Sequence, residues 1–98
     1  MRPTRAERKM LAEVVAGARK AGFRVPRITL RVVPHLLASK GFAQGATVTV
    51  ERKSLDYALL CHEVAHVIVD GMLAKGAADH NRFWALVYGV LYQQAVQT

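Results

Sequence analysis

Cysteine occurs once in this chain, at position 61, so no intrachain disulfide is available to staple the fold. A lone cysteine fits a reducing compartment, where disulfide frameworks are rare. Long apolar runs are missing as well. The longest, FWALVYGVLY at 83–92, is too short to span a bilayer, which excludes a membrane-spanning helix. The first twenty residues carry charge throughout and contain no apolar run ahead of a small-residue cleavage site, so no secretory leader is expected. Glu7 and Glu13 speak against an organelle transit peptide. A cytoplasmic protein without a membrane partner is the expectation. Internal repeats and low-complexity segments are absent, and 98 residues leave no room for a second core. One domain over residues 1–98 is expected.

Acidic residues are scarce and unevenly placed. Seven Asp and Glu stand against 14 Lys and Arg, and residues 1–53 hold 12 of the basic residues but only three of the acids. A basic half beside a mildly acidic half predicts an electropositive face suited to nucleic acid or an acidic partner. The plainer alternative is a solvated face that keeps the chain soluble. At 52% hydrophobic and 21% charged, the composition is that of a globular domain rather than a disordered segment.

Thr4 followed by Glu7 forms a capping-box pattern at the start of a first helix. Met10, Leu11, Val14, Val15 and Ala18 then recur at helical spacing, opposite Arg5, Arg8, Lys9 and Glu13. Gly22 is placed to end that helix, with Phe23 packing just beyond it. In RITLRVV, between Pro26 and Pro34, Ile28, Leu30 and Val32 alternate with Thr29 and Arg31, which predicts a half-buried strand. TVTVE at 47–51 repeats the alternation, with Val48 and Val50 facing inward. Gly41 and Gly45 mark turns between these strands, and a short edge strand is expected around Phe42 and Ala43.

Ser54 is placed to cap a second helix, with Asp56 in its first turn, running to Gly71 or Gly76. Asp79 or Asn81 would cap a third, whose core stripe is Phe83, Trp84, Val87, Tyr88, Leu91 and Ala95. Helix, two or three strands, helix, helix: the order predicts a small α+β domain.

The second helix carries CHEVAH at 61–66. Residues four apart stand one turn above each other, so His62 and His66 can direct imidazole nitrogens at one ion. Glu63 falls near that ion without needing to ligate it, where a general base for zinc-activated water must sit. The flanks, Leu59 and Leu60 before and Val67, Ile68 and Val69 after, make the helix nearly all apolar and therefore buried. Two histidines and a glutamate buried there are costly unless a cation or hydrogen bonds satisfy them. One zinc ion per chain is expected, and two hydrogen-bonded core histidines are the alternative. A catalytic zinc needs a third protein ligand. His80 is favoured, since a turn through Gly71 and Gly76 can bring it back. Asp70 is one turn beyond His66, but residues 62, 66 and 70 spread over two turns, too far for one small coordination sphere. Asp79 fits better as a cap or as an acceptor orienting a histidine. His35, between Pro34 and Leu36, is expected as a surface loop histidine.

HEVAH followed by DHNRFWALV resembles the SprT-like and related minimal zincin metallopeptidases, most closely over residues 55–91. The resemblance implies a minimal zincin core with His62, His66 and His80 as zinc ligands and Glu63 as catalytic base. Phe83 and Trp84 would seat His80. Asn81 stands where family members often have Gly. The pattern also overlaps with the minigluzincins, whose third ligand is acidic; there Asp79 or another acid would take the place of His80. Zinc-dependent hydrolysis of peptide bonds follows from the resemblance, with a protein or peptide substrate laid along the edge strand near Phe42–Gly45. Tyr88 and Tyr57 are expected as core or surface tyrosines, with donation to the oxyanion as the alternative role. SprT-like proteases act on proteins attached to DNA, so Arg5, Arg8, Lys9, Arg19, Lys20 and Arg24 would meet a phosphate backbone. No aromatic residues interleave with these charges, so base stacking is not indicated. The alternative to an enzyme is a non-catalytic, zinc-stabilised module that binds protein or nucleic acid through its basic N-terminal half.

Overall fold

A computed structural model describes residues 2–72 and 82–96. Its elements are helix α1 (Arg5–Lys20), strands β1 (Thr29–Val33), β2 (Gly41–Gln44) and β3 (Thr47–Glu51), and helices α2 (Tyr57–Met72) and α3 (Arg82–Val96). The described residues form a small α+β fold of three helices and one three-stranded mixed sheet.

The capping box at α1 is complete. The Glu7 N–H donates to Thr4 Oγ1 at 3.1 Å, and the Thr4 N–H donates to Glu7 Oε1 at 2.6 Å. Such a cap stabilises by about 1 kcal/mol. Leu11, Val14 and Ala18 are buried and Met10 and Val15 half-buried, as the spacing predicts. At the far end Gly22 takes φ 99°, and the N–H groups of Gly22 and Phe23 return to the carbonyls of Arg19 and Ala18. These two bonds make a Schellman close, which requires the left-handed backbone that glycine adopts without strain. Glu7 has a second role that its capping position does not reveal. Its carboxylate accepts from Arg52 Nε at 2.9 Å and from Arg52 Nη2 at 3.0 Å. This two-pronged bond ties the start of α1 to the turn after β3 and holds the Glu7 carboxyl below its usual range.

The strand order is β1-β3-β2, with β1 parallel to β3 and β2 antiparallel to it. The chain leaves β1, crosses to the far edge to form β2, and returns through Gly45 and Ala46 into the central position. Gly45, at φ 58°, meets the positive φ that a two-residue hairpin loop demands. Register stacks Leu30, Val48 and Ala43 in one row and Val32, Val50 and Gly41 in the next. The alternation in β3 understates its burial, because Thr49 and Glu51 are buried too. Thr49 lies between Arg31 and Phe42 in the register, and a central strand flanked on both sides has little surface left on either face.

Glu51 fastens the crossover. Its carboxylate accepts from the Leu36 N–H at 3.0 Å and from the Ser54 hydroxyl at 2.9 Å. The Leu36 bond, then the Ser54 bond, hold its carboxyl below the usual range. Ser54 is therefore not the cap of α2. It closes a short 3-10 turn at Arg52–Ser54, and the chain is extended at Leu55 before the helix begins. Asp56 is the cap: its Oδ1 accepts from the Leu59 N–H at 2.7 Å.

Helix α2 lies at the centre, packed on α1, α3 and β2. Leu60, Cys61, Val64, Ala65, Val67, Ile68 and Val69 are all buried. Gly71 falls within its last turn, while Gly76, Asp79 and Asn81 lie outside the described residues. In α3, Val87 and Leu91 are buried and Trp84, Tyr88 and Ala95 half-buried. Phe83 is not part of this stripe; it is 53% exposed. It stands one helical turn before Val87, in the first turn of α3. Among the described residues no helix is long and apolar enough to cross a membrane.

Candidate metal centre and cleft

One strip of α2 escapes full burial, and it carries His62, His66 and Asp70. The two imidazoles stand one helical turn apart, ring centroids 5.0 Å from each other and inclined at 66°. Ligand-capable atoms of His62, Glu63 and His66 all lie within 4.8 Å of one another, and His62 Nε2 is 3.9 Å from Glu63 Oε2. Glu63 is only 3% exposed, and burial pushes its carboxyl up to about 7. A cation beside it would oppose that shift by favouring the carboxylate. The donor set, two imidazoles and one carboxylate converging on a small volume, fits zinc: these are its ordinary nitrogen and oxygen ligands. Cys61 does not contribute. It is fully buried, and burial pushes its thiol up to about 11, leaving an inert core thiol.

Trp84 supports the histidines. Its Nε1 donates to the His62 carbonyl at 3.3 Å, and its ring stands edge-on to His62 at 4.8 Å and tilted over His66 at 5.5 Å. Tyr88 stacks on Trp84 at 5.2 Å with planes only 6° apart, and lies 6.2 Å from His62. The sequence placed Trp84 in the core stripe of α3 but not against these rings. Nothing in a one-dimensional pattern tells which neighbour a stripe will meet.

A cavity of about 370 Å³ opens over the cluster, with Ser39, Gly41, Phe42 and Ala43 on one side and His62, Glu63, His66 and Asp70 on the other. The edge strand expected near Phe42 and Ala43 is thus β2, and it forms one wall of the cleft. A Cβ at Gly41 would stand 3.0 Å from the Thr49 carbonyl and 3.4 Å from Leu59, so glycine permits β2 to pack this closely. The Glu51 N–H donates to the Lys40 carbonyl, which marks residues 40 and 51 as a hydrogen-bonded pair. Antiparallel pairs alternate, so Phe42 and Gln44 also bond inward to β3, and Gly41 and Ala43 turn their main-chain groups outward. Among the described residues no strand pairs with that outer edge.

The other candidate residues separate clearly. His80 and Asp79 lie outside the described residues. Asp70 lines the cavity but is not among the three clustered ligands. His35 is an exposed loop histidine, its Nδ1 3.4 Å from Glu51 Oε2. Tyr57 cannot serve an oxyanion at this cluster: its hydroxyl donates to Glu13 Oε2 on α1 at 2.6 Å, which also raises its phenol. Tyr88 stays beside His62. Arg5, Arg8, Lys9, Arg19, Lys20 and Arg24 are all exposed on or just after α1. The chain matches no protein-family model, no curated protein and no solved structure with which it was compared.

Proposed function

We propose that this chain is a zinc-dependent endopeptidase of zincin-like architecture. The observation that carries the proposal is the convergence of His62, Glu63 and His66 at the floor of a cleft walled by an open strand edge. His62 and His66 would hold the ion, with His80 as the proposed third ligand. Bound there, zinc supplies a Lewis acid that polarises a carbonyl and brings the pKa of water down to about 7. Glu63, within reach of the same volume, takes the proton of the attacking water and returns it to the leaving amine. The outward main-chain groups of Gly41 and Ala43 pair with an extended peptide and hold its scissile bond over the cluster. Trp84 keeps the two imidazoles from turning. The exposed arginines and lysines of α1 support a nucleic-acid partner beside the protein substrate.

A non-catalytic zinc module is the competing reading, and the carboxylate of Glu63 favours catalysis over it. A purely structural site would use the Glu63 carboxylate only as a ligand, whereas a catalytic site leaves it to move the proton of water. Zinc per chain, measured on protein purified without added metal, is expected to be about one. Glu63→Gln is expected to keep most of that zinc while peptide hydrolysis disappears. A Gln variant that still cleaves would falsify the mechanism, and a native chain that holds zinc but cleaves nothing would favour the structural module.

A further inference from the structure

Asp70 does more than close one end of the cleft. It also lines a second cavity of about 320 Å³, whose other walls are Pro26, Gly45, Ala46, Val67 and Gly71. Among the described residues the two cavities share this one. Ala43 lines the first and Gly45 the second, two residues apart along the same chain, or about 7 Å of extended backbone. A peptide paired with β2 and carrying its scissile bond at the cluster would therefore offer this second cavity a side chain from within about two positions of that bond.

The walls describe the side chain that fits. Pro26, Ala46 and Val67 present carbon, and Gly45 and Gly71 leave open space where a larger residue would stand. Among the described residues the one charged group on the lining is the exposed carboxylate of Asp70, which also lines the cavity over the cluster. Among the described residues no cation pairs with it. A long aliphatic stem ending in a positive charge satisfies both parts, the stem against the apolar walls and the head at the carboxylate. The wider field agrees. From Ser54 to Met72 the chain holds Asp56, Glu63 and Asp70 and not one Lys or Arg, although the molecule as a whole is basic. The acids of this helix attract a cation, although Arg24 and Arg27 flank the Pro26 wall.

We propose that this cavity is a specificity pocket selecting a lysine or arginine side chain of a peptide laid along β2, with Asp70 as its charge partner. The proposal rests on the peptidase reading for the placement of the peptide, and it names the substrate class: basic peptides.

The test measures binding, so that it does not depend on turnover. Two fluorescently labelled extended peptides are titrated onto the Glu63→Gln protein, identical except for lysine or its uncharged equivalent norleucine. The lysine peptide is expected to bind about fivefold tighter, the scale of one well-placed, partly exposed ion pair, and the preference should shrink as salt is added. Asp70→Asn in the same background should make the two peptides equal. Ala46→Phe should weaken both by filling the pocket. The zinc-free native chain provides the same comparison if the Gln variant fails to fold. Equal binding of the two peptides, a preference that survives Asp70→Asn, or no measurable binding of either overturns the proposal. A lysine preference that Asp70→Asn removes, in a native chain that cleaves neither peptide, would refute hydrolysis and leave the pocket standing.

Discussion

The burial of Glu63 has a measurable consequence in the metal-free protein. A carboxyl that ordinarily titrates near 4.5 is pushed up to about 7 by desolvation. The folded state therefore holds its proton where the unfolded chain has lost it. The sign follows: because the native state binds more protons between these values, stability falls as pH rises through the window. The size follows too, since each pKa unit corresponds to about 1.4 kcal/mol, so the loss between pH 4.5 and 7 is about 3 kcal/mol. In a domain of this length that is a fall of roughly 10–20 °C in Tm. Glu63→Gln keeps the shape and removes the charge. The assay is urea unfolding with a chelator present, at intervals from pH 5 to 8, on both proteins. Contributions from ionisable groups remote from Glu63, the surface carboxylates among them, are common to both and cancel in the difference. The native chain should lose stability relative to the Gln variant as pH rises, and added zinc should reduce the loss by favouring the carboxylate. Parallel curves for the two proteins across the whole range would refute the argument that Glu63 is desolvated.

Further outcomes are open to direct measurement. His66→Ala should lower zinc from about one per chain to nearly none by elemental analysis, and His80→Ala should cause a comparable loss if it is the third ligand. One zinc retained in the His80 variant would move that role to an acid such as Asp79. Thr4→Ala should cost about 1 kcal/mol in urea unfolding by removing the cap of α1. The Arg52 bond holds Glu7 below the usual carboxylate range, so its contribution is present above that range and lost as pH falls through the lowered value. Glu7→Gln should accordingly be less sensitive to acid than the native chain, read from unfolding midpoints at pH 5 and below. If the six exposed basic residues of α1 and its C-terminal end neutralise phosphates, the affinity for duplex DNA should fall with a log–log salt slope of about −5. A flat slope, or no affinity, removes nucleic acid as a partner.

Local chemistry was legible wherever one residue's consequence is decided by its near neighbours. Thr4 and Glu7 announce a capping box, Gly22 a helix end, and Val48 and Val50 an inward face, and all of these stand in the folded chain. Ser54 misled because a cap pattern says nothing about a 3-10 turn intervening before the helix; Asp56, two residues on, takes the role once Ser54 is drawn to Glu51. Phe83 misled because spacing puts it one turn before Val87 on the same face, while burial depends on what packs against that turn. Tyr57 looked available until its partner Glu13, 44 residues away, was brought to it.

The spacing of His62 and His66 on one helical face, with Glu63 beside them, was determined by the sequence alone, because helix geometry is local and repeats every 3.6 residues. What faces that strip was not. That β2, rather than β1 or β3, walls the cleft depends on a crossover that carries the chain to the far edge of the sheet. That Trp84 leans on the imidazoles depends on how α3 packs against α2. The union of two cavities at Asp70 depends on both the α2 strip and the Gly45–Ala46 turn. Such contacts join residues far apart in the chain, and their partners are chosen by the packing of whole elements, which no short pattern encodes.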